Sequence, residues 1–494
     1  MAPNCAKSCV PRYGDLCTGR DITYPYISLS ILSLILIGLC MASCGEVTAL
    51  DYTPTLVDWA ERFSYLPGFV YLDSGTSGHG GELELVTALP TVTHRLQHYS
   101  ANLGDWMTAV EADLHSACAQ SDIIGTSACF TGCVAIGSLD YDAPAGSLRD
   151  RDEPHSRTIA GLYHWMLVTH RSSHTTELLI HPDCPAVTRQ RITALIEAKH
   201  TAAPKSFHLA KRFRPAISKQ QYQAHIKRIQ DYILAGDCYQ VNYAQRFEAT
   251  LEGNAWSAYR SVRTLLAGGF SGFLRTAADH AILSLSPERF LRIHQGTVTS
   301  QPIKGTAPRH SDPKQDAALA QALLNSEKDR AENVMITDLL RNDLGQFCET
   351  GSVTVTELCG LHSFNNVHHL ISTVEGELAP GVSAGQMLLA TSPGGSITGA
   401  PKKRAVEIIA ELESSPRGAY CGSLFILGGD DLLQSSIAIR TLEVTGNTVH
   451  CWGGGGITAS SEWEAEYQET LDKVGPIMAA LEEANQCSGN SIPS

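Results

Sequence analysis

The chain of 494 residues carries 51 acidic and 37 basic side chains, a formal net charge of −14. With 43% hydrophobic and 18% charged residues it has a globular composition, which excludes a disordered or collagen-like chain. The acidic balance argues against nucleic acid as a main partner, because phosphate binding needs a clustered basic surface. A small anion needs only two or three well-placed cations.

An uncharged apolar run from Ile27 to Met41 follows Lys7, Arg12 and Arg20. It is shorter than the roughly 20 apolar residues of a membrane span and nearer to a signal-peptide core. A third reading takes Met41 as the working start. Residues 1–45 are therefore expected to lie outside the fold, and the protein to be cytoplasmic. The 15 cysteines show no CxxC pair and no zinc-finger spacing, and read as small buried hydrophobes in a reducing compartment.

Residues 50–200 form an N-terminal region in which short apolar runs, such as 69–75 and 162–168, alternate with turn signals. The stretch 143–156, rich in Asp, Arg and Pro, reads as a loop. Ala202-Ala203-Pro204 and the basic stretch 211–214 separate it from a C-terminal region, 215–482. There Ser218-Lys219-Gln220-Gln221 is a capping box that opens a helix ending at Gly236, with Tyr222, Ile226, Ile229 and Ile233 on one face. Strand-like runs at 281–285, 423–427 and 437–444 alternate with long helices. One is opened by Ser326 and runs through Leu344; the last is opened by Ser461 and runs through about Leu481. Without regular strand–helix alternation or a GxGxxG, an α+β fold with antiparallel sheets fits better than a Rossmann or barrel fold.

Five stretches hold functional residue types packed closer than a core requires. They are Gly236-Asp237-Cys238-Tyr239-Gln240-Val241-Asn242; Ser286-Pro287-Glu288-Arg289-Phe290 with Gln301-Pro302-Ile303-Lys304-Gly305-Thr306; and the helix carrying Asp329, Glu332 and Asp338-Leu339-Leu340-Arg341-Asn342-Asp343. The others are Pro393-Gly394-Gly395-Ser396-Ile397-Thr398-Gly399-Ala400-Pro401-Lys402, and Gly453-Gly454-Gly455-Gly456-Ile457 with Glu466, Glu469 and Lys473. On their own, the acidic pairs would read as solvated faces, the glycine run as a tight turn and Arg440 as a surface ion pair.

In this order and spacing the five stretches resemble the chorismate-utilising enzymes, which include anthranilate synthase component I and the aminodeoxychorismate synthases. The resemblance covers residues 50–481 and is dense from Ser218 onward. Phe130-Thr131-Gly132 with Asp140-Tyr141-Asp142 looks like the family's FxGG…YD stretch, with Cys133 in place of the second glycine. It implies antiparallel β-sheets stacked as a large sandwich with flanking helices, chorismate as substrate, and Mg²⁺. Chorismate is a dianion whose C4 hydroxyl is a poor leaving group, so charge must be stabilised as that hydroxyl departs. Mg²⁺ suits this when held by one or two carboxylates with water and substrate oxygens. By resemblance Glu332 and Glu469 are its ligands, with Asp329 and Glu466 one helical turn away as i, i+3 neighbours. Arg440 grips a substrate carboxylate bidentately. Gly454, Gly455 and Gly456 offer backbone N–H groups to another. Tyr420, Lys473, Thr398 and Gln240 are further substrate contacts, and His369 lies near the departing hydroxyl.

Two positions select the branch. Relatives that add water at C2 carry a lysine where this chain has Gln240. Relatives that aminate at C4 carry a lysine at Lys304, where anthranilate synthases have a small residue. The resemblance therefore implies that Lys304 attacks ring C2 with loss of the C4 hydroxyl, and that ammonia then attacks C4 and expels the lysine. Without a glutaminase motif, ammonia is expected from a separate glutamine amidotransferase subunit, and the product to serve p-aminobenzoate and folate synthesis. Many relatives also hold tryptophan, at positions matching Ser74, Phe270 and Ser271, whereas Gly80-Gly81-Glu82-Leu83 departs from the aromatic and basic residues usual there. The competing readings are an anthranilate synthase component I and a membrane-anchored homologue that binds without catalysing.

Overall fold

The computed structural model describes residues 45–74, 83–99, 101–119, 132–144, 156–198, 206–265, 269–364, 367–429 and 431–488. The apolar run 27–41, Phe130, Thr131, residues 80–82 and most of the 143–156 loop lie outside them. No helix among the described residues is long and apolar enough to cross a membrane.

Two large sheets organise the chain, and every strand pair in them is antiparallel. The 12-stranded sheet has Val70–Asp73 beside Ser271–Ala277 near its middle and ends on Thr448–Ile457, Gln240–Gly253 and Gly399–Ala400. The 10-stranded sheet begins at Ile303–Pro308 and Val367–Glu377 and passes through Ser423–Leu427 to Val134–Leu139. Strands from before residue 200 thus pair with strands from after 215 in both sheets.

The alternation of apolar side chains explains the stacking. Along 165–168, Met166 and Val168 point into a core shared with Ile136, Leu424 and Ile426 of the other sheet, while Trp165 and Leu167 point the opposite way. The outer faces are then closed by helices. Leu103–Cys118 and Glu327–Gly345 lie over the 10-stranded sheet, with Ala384–Thr391 packed on them; Val57–Phe63, Ala255–Val262, Trp463–Ser488 and Lys402–Leu412 lie over the 12-stranded one, the last of them on Gln240–Gly253 and Gly399–Ala400. The described cysteines 133, 184, 238, 348, 359, 421 and 451 are buried and unpaired, as small core residues.

The helix opened by Ser218 spans Lys219–Leu234 with both halves of its capping box formed, and buries Tyr222, Ile226 and Ile229. Three expectations need correction. The basic stretch 211–214 is part of a strand, Phe207–Pro215, paired with Gln240–Gly253. The last helix continues to Ser488, because Glu482 accepts from Phe213 N at 3.1 Å and ties the added turns to that strand. The run 437–444 is not one strand: Leu433–Ile437 belongs to one sheet and Thr441–Thr445 to the other, so the chain crosses between them at 438–440. Ile437, Ala438 and Ile439 lead straight on to Leu442 and Val444, so the apolar pattern runs through the crossing and hides it. Residues 162–168 conceal a second crossing, at His164.

Candidate active site

The glycine run lies on Thr448–Ile457, with Gly454, Gly455 and Gly456 opposite Ala244, Tyr243 and Asn242. The neighbouring strand Thr441–Thr445 stops pairing at Cys451, so beyond it this edge of the backbone is open. Lys473 Nζ occupies it, donating to Gly454 O at 3.0 Å and to Glu469 Oε1 at 2.6 Å. A Cβ on Gly455 would stand 3.1 Å from Glu466 Oε2 and 3.4 Å from Glu469 Oε1. Glycine therefore lets the helix Trp463–Ser488 bring two carboxylates against the strand. Gly455→Ala should displace them and lower turnover by about 10²-fold with little loss of stability; unchanged kcat would show that their position does not matter.

The four acidic side chains differ in their surroundings. Burial raises the pKa of Glu466, against a 2.7 Å hydrogen bond from Ser461 Oγ. Burial also raises that of Glu332, opposed by Lys304 and Lys328, while Asp329 and Glu469 push it further up. For Glu469 burial is outweighed by Lys473 and the more distant Lys328 and Lys304, so its carboxylate stays ionised. Asp329 accepts from the Ser326 hydroxyl that caps its helix, and packs against Gly305. Glu332 and Glu469, on two different helices, are near enough for the charge of Glu469 to act on Glu332, whereas Asp329 and Glu466 each accept a hydrogen bond from a nearby serine. Among the described residues no three His, Cys, Asp or Glu side chains converge as a ready metal cage.

Lys304 lies on Ile303–Pro308, half-buried, with Nζ donating to Ser396 O at 3.3 Å. Burial, then Lys473, lowers its pKa; Glu332, Glu288 and Glu469 oppose this. A lysine so placed is easier to hold as the free amine. Glu288, to which the motif pattern alone assigns no role, lies in the site. It is 5% exposed, accepts from Ser396 Oγ at 2.8 Å, and interacts with both Lys304 and Arg440. Burial shifts it toward the protonated form. The signal was there: a glutamate between Pro287 and Arg289 in an otherwise apolar, strand-forming stretch.

Arg440 sits in the inter-sheet crossing with φ +52°, a left-handed conformation that a non-glycine residue adopts only when its surroundings impose it. Its guanidinium makes no hydrogen bond to a described residue, and burial lowers its pKa against the pull of Glu288. His369 pairs across the sheet with Thr306, whose Oγ1 lies 2.9 Å from Nδ1. Burial and Arg440 lower its pKa to about 4, so the ring is neutral near pH 7. The unfolded chain takes up that proton near 6.5, the folded one only near 4, so this histidine removes stability as pH falls through that window. Denaturant midpoints should accordingly fall less between pH 6.5 and 4 in His369→Gln than in the wild type; parallel profiles would contradict this.

Gln240 is 1% exposed and both its amide atoms lack a partner among the described residues, beside Gly456. A buried amide left this way marks a place for a ligand or water. Thr398 is different: its hydroxyl donates to Gly394 O at 3.0 Å and holds its own turn. Tyr420 is buried and stacks on Trp452 at 5.9 Å. Arg417, fully buried, fixes that region: it donates to both oxygens of Glu413, to Ile397 O at 2.9 Å and to Asn242 O at 2.6 Å. It joins two of the motif stretches, 236–242 and 393–402. Arg417→Met should strand the buried Glu413 and cost about 3–5 kcal/mol of stability, visible as a lower denaturant midpoint; an unchanged midpoint would contradict it.

Ser74, Phe270 and Ser271 are brought together elsewhere, in the lining of a cavity of about 470 Å³ between the sheets. Arg289 lies over the Phe270 ring at 5.1 Å.

Residues 69–479 match the chorismate binding enzyme family. The chain is 44% identical over 355 residues to aminodeoxychorismate synthase component 1 of Klebsiella aerogenes, covering 70% of this chain and 77% of that protein. It is 38% identical over 283 residues to anthranilate synthase component 1 of Streptomyces coelicolor, covering 57% and 55%. Among solved structures, anthranilate synthase component I from Streptococcus pneumoniae TIGR4 superposes with a TM-score of 0.69 at 27% identity, over 81% of this chain and 93% of that one. The chain belongs to the chorismate binding enzyme family, and within it is similar over most of its length to component 1 of aminodeoxychorismate synthase.

Proposed function

We propose that this protein aminates chorismate at ring C4 to give 4-amino-4-deoxychorismate, with ammonia supplied by a separate glutamine amidotransferase subunit. The observation that carries the reading is Lys304, held among Glu288, Glu332, Glu469 and Lys473 with its pKa lowered by burial. Lys304 Nζ, as the free amine, bonds to C2, both ring double bonds shift one position toward C4, and the C4–O bond breaks, the oxygen leaving as water with a proton. Ammonia then bonds to C4, both double bonds shift back, the C2–N bond breaks, and Lys304 is restored with the proton lost by the new amine. Glu288 supports the proton traffic: buried and inclined to hold a proton, it interacts with Lys304 without competing for the ring. Arg440 has an uncommitted guanidinium for a substrate carboxylate, and the open edge at Gly454 to Gly456 supplies backbone donors for the other. His369 is neutral and serves as a hydrogen-bonding group, not as a charged acid.

Mg²⁺ fits the pair Glu332 and Glu469, each from a different helix, since this ion needs only one or two carboxylates. When bound it would neutralise a substrate carboxylate and polarise the leaving hydroxyl. Tryptophan is a candidate occupant of the cavity lined by Ser74, Phe270 and Ser271.

The test is the purified protein with chorismate, ammonium and Mg²⁺, its product identified by mass and by retention against standards. 4-Amino-4-deoxychorismate is expected. Anthranilate as the main product would move the chain to the other branch.

A further inference from the structure

A second cleft opens between the same two sheets, with a volume of about 750 Å³. It shares no lining residue with the first cavity or with the groups around Lys304. Its walls include Val70, Ile136, Tyr163 and Leu274, all buried, and the cations Arg95 and Arg275. Not one described residue of the lining is Asp or Glu.

Arg275 contrasts with three other arginines of this half of the chain. Arg263 is 2.7 Å from Asp73, Arg260 is 2.7 Å from Glu61, and Arg171 pairs with Glu84. Arg275 Nε instead donates to the backbone, Ser64 O at 3.2 Å, and the guanidinium lies 5.7 Å from the Phe273 ring. Among the described residues no carboxylate pairs with it, and burial lowers its pKa with no acid opposing the shift. Removing a guanidinium from water without a counter-charge is unfavourable, so a partly buried, unpaired one facing an acid-free cleft is a site for an anion. Arg95, exposed at the rim, donates to Thr276 O and keeps further N–H groups for a second contact.

We propose that this cleft binds a small organic carboxylate, gripped by Arg275 and Arg95, with its hydrocarbon body against Val70, Ile136, Tyr163 and Leu274. Planar guanidinium forks suit carboxylate and phosphate alike. The apolar walls favour an anion that carries a ring or short chain over a bare inorganic ion.

Titration calorimetry of the full chain at low ionic strength tests this, with benzoate and inorganic phosphate as separate probes. Benzoate should bind, and Arg275→Gln should weaken it by about tenfold or more, the loss of one charge-assisted contact. Arg95→Gln, at an exposed position that does not threaten folding, should weaken it in the same direction. Binding should persist in Arg440→Gln. Three results would overturn the proposal: no benzoate binding, binding indifferent to both cleft arginines, or binding lost in Arg440→Gln, which would place it at the catalytic site. Phosphate binding as tightly as benzoate would overturn the assignment to an organic anion.

Discussion

Lys304→Ala should bind chorismate and fail to aminate it at the normal rate. Binding survives because Arg440, Glu332, Glu469 and the open glycine edge remain. Turnover fails because direct displacement at C4 lacks the covalent intermediate that divides one difficult step into two. A loss of about 10²–10⁴-fold in kcat is expected, the effect of one catalytic group removed from an intact site. Near wild-type production of aminodeoxychorismate would falsify the role. Slow formation of anthranilate would instead show that Lys304 decides where ammonia attacks.

Glu469→Gln should lose about 10²–10³-fold in kcat, the range for removing one preorganised electrostatic contact from a reacting centre. Two effects combine. The change neutralises one of the two carboxylates proposed to hold Mg²⁺, and it frees Lys473, whose ammonium sits 2.6 Å from Glu469. A magnesium titration separates them: excess Mg²⁺ restores part of the activity if Glu469 is a ligand. If activity stays low and flat across the titration, Glu469 acts only by holding Lys473, and if it is never lost, Glu469 leaves the site altogether.

The local parts of the candidate site were legible in the sequence, because caps and spacing act over one turn. The capping box at Ser218 starts a helix that buries Tyr222, Ser326 caps the helix carrying Asp329 and Glu332, and i, i+3 spacing sets Glu466 beside Glu469. What stayed hidden depends on contacts distant in sequence. Arg440 reads as the end of a strand-like run, and nothing local shows that the chain leaves one sheet for the other there and turns at φ +52°. Glu288 and Ser396 meet across 108 positions, and neither spacing nor composition pairs them. The engagement of Thr398 with its own turn is likewise a property of backbone path. The strand Phe207–Pro215 was masked by Lys211, Arg212 and Arg214, whose charge suggests a linker but suits an exposed strand with solvent on one side.

The most direct measurement is intact and peptide mass spectrometry of the protein mixed with chorismate and Mg²⁺ in the absence of ammonia. A covalent adduct of the dehydrated substrate should accumulate on the peptide containing Lys304 and disappear when ammonium is added, with aminodeoxychorismate released in its place. Wild-type protein that turns over with ammonium, yet shows no adduct on that peptide at any time before ammonium is added, would contradict the assignment of Lys304 as the nucleophile.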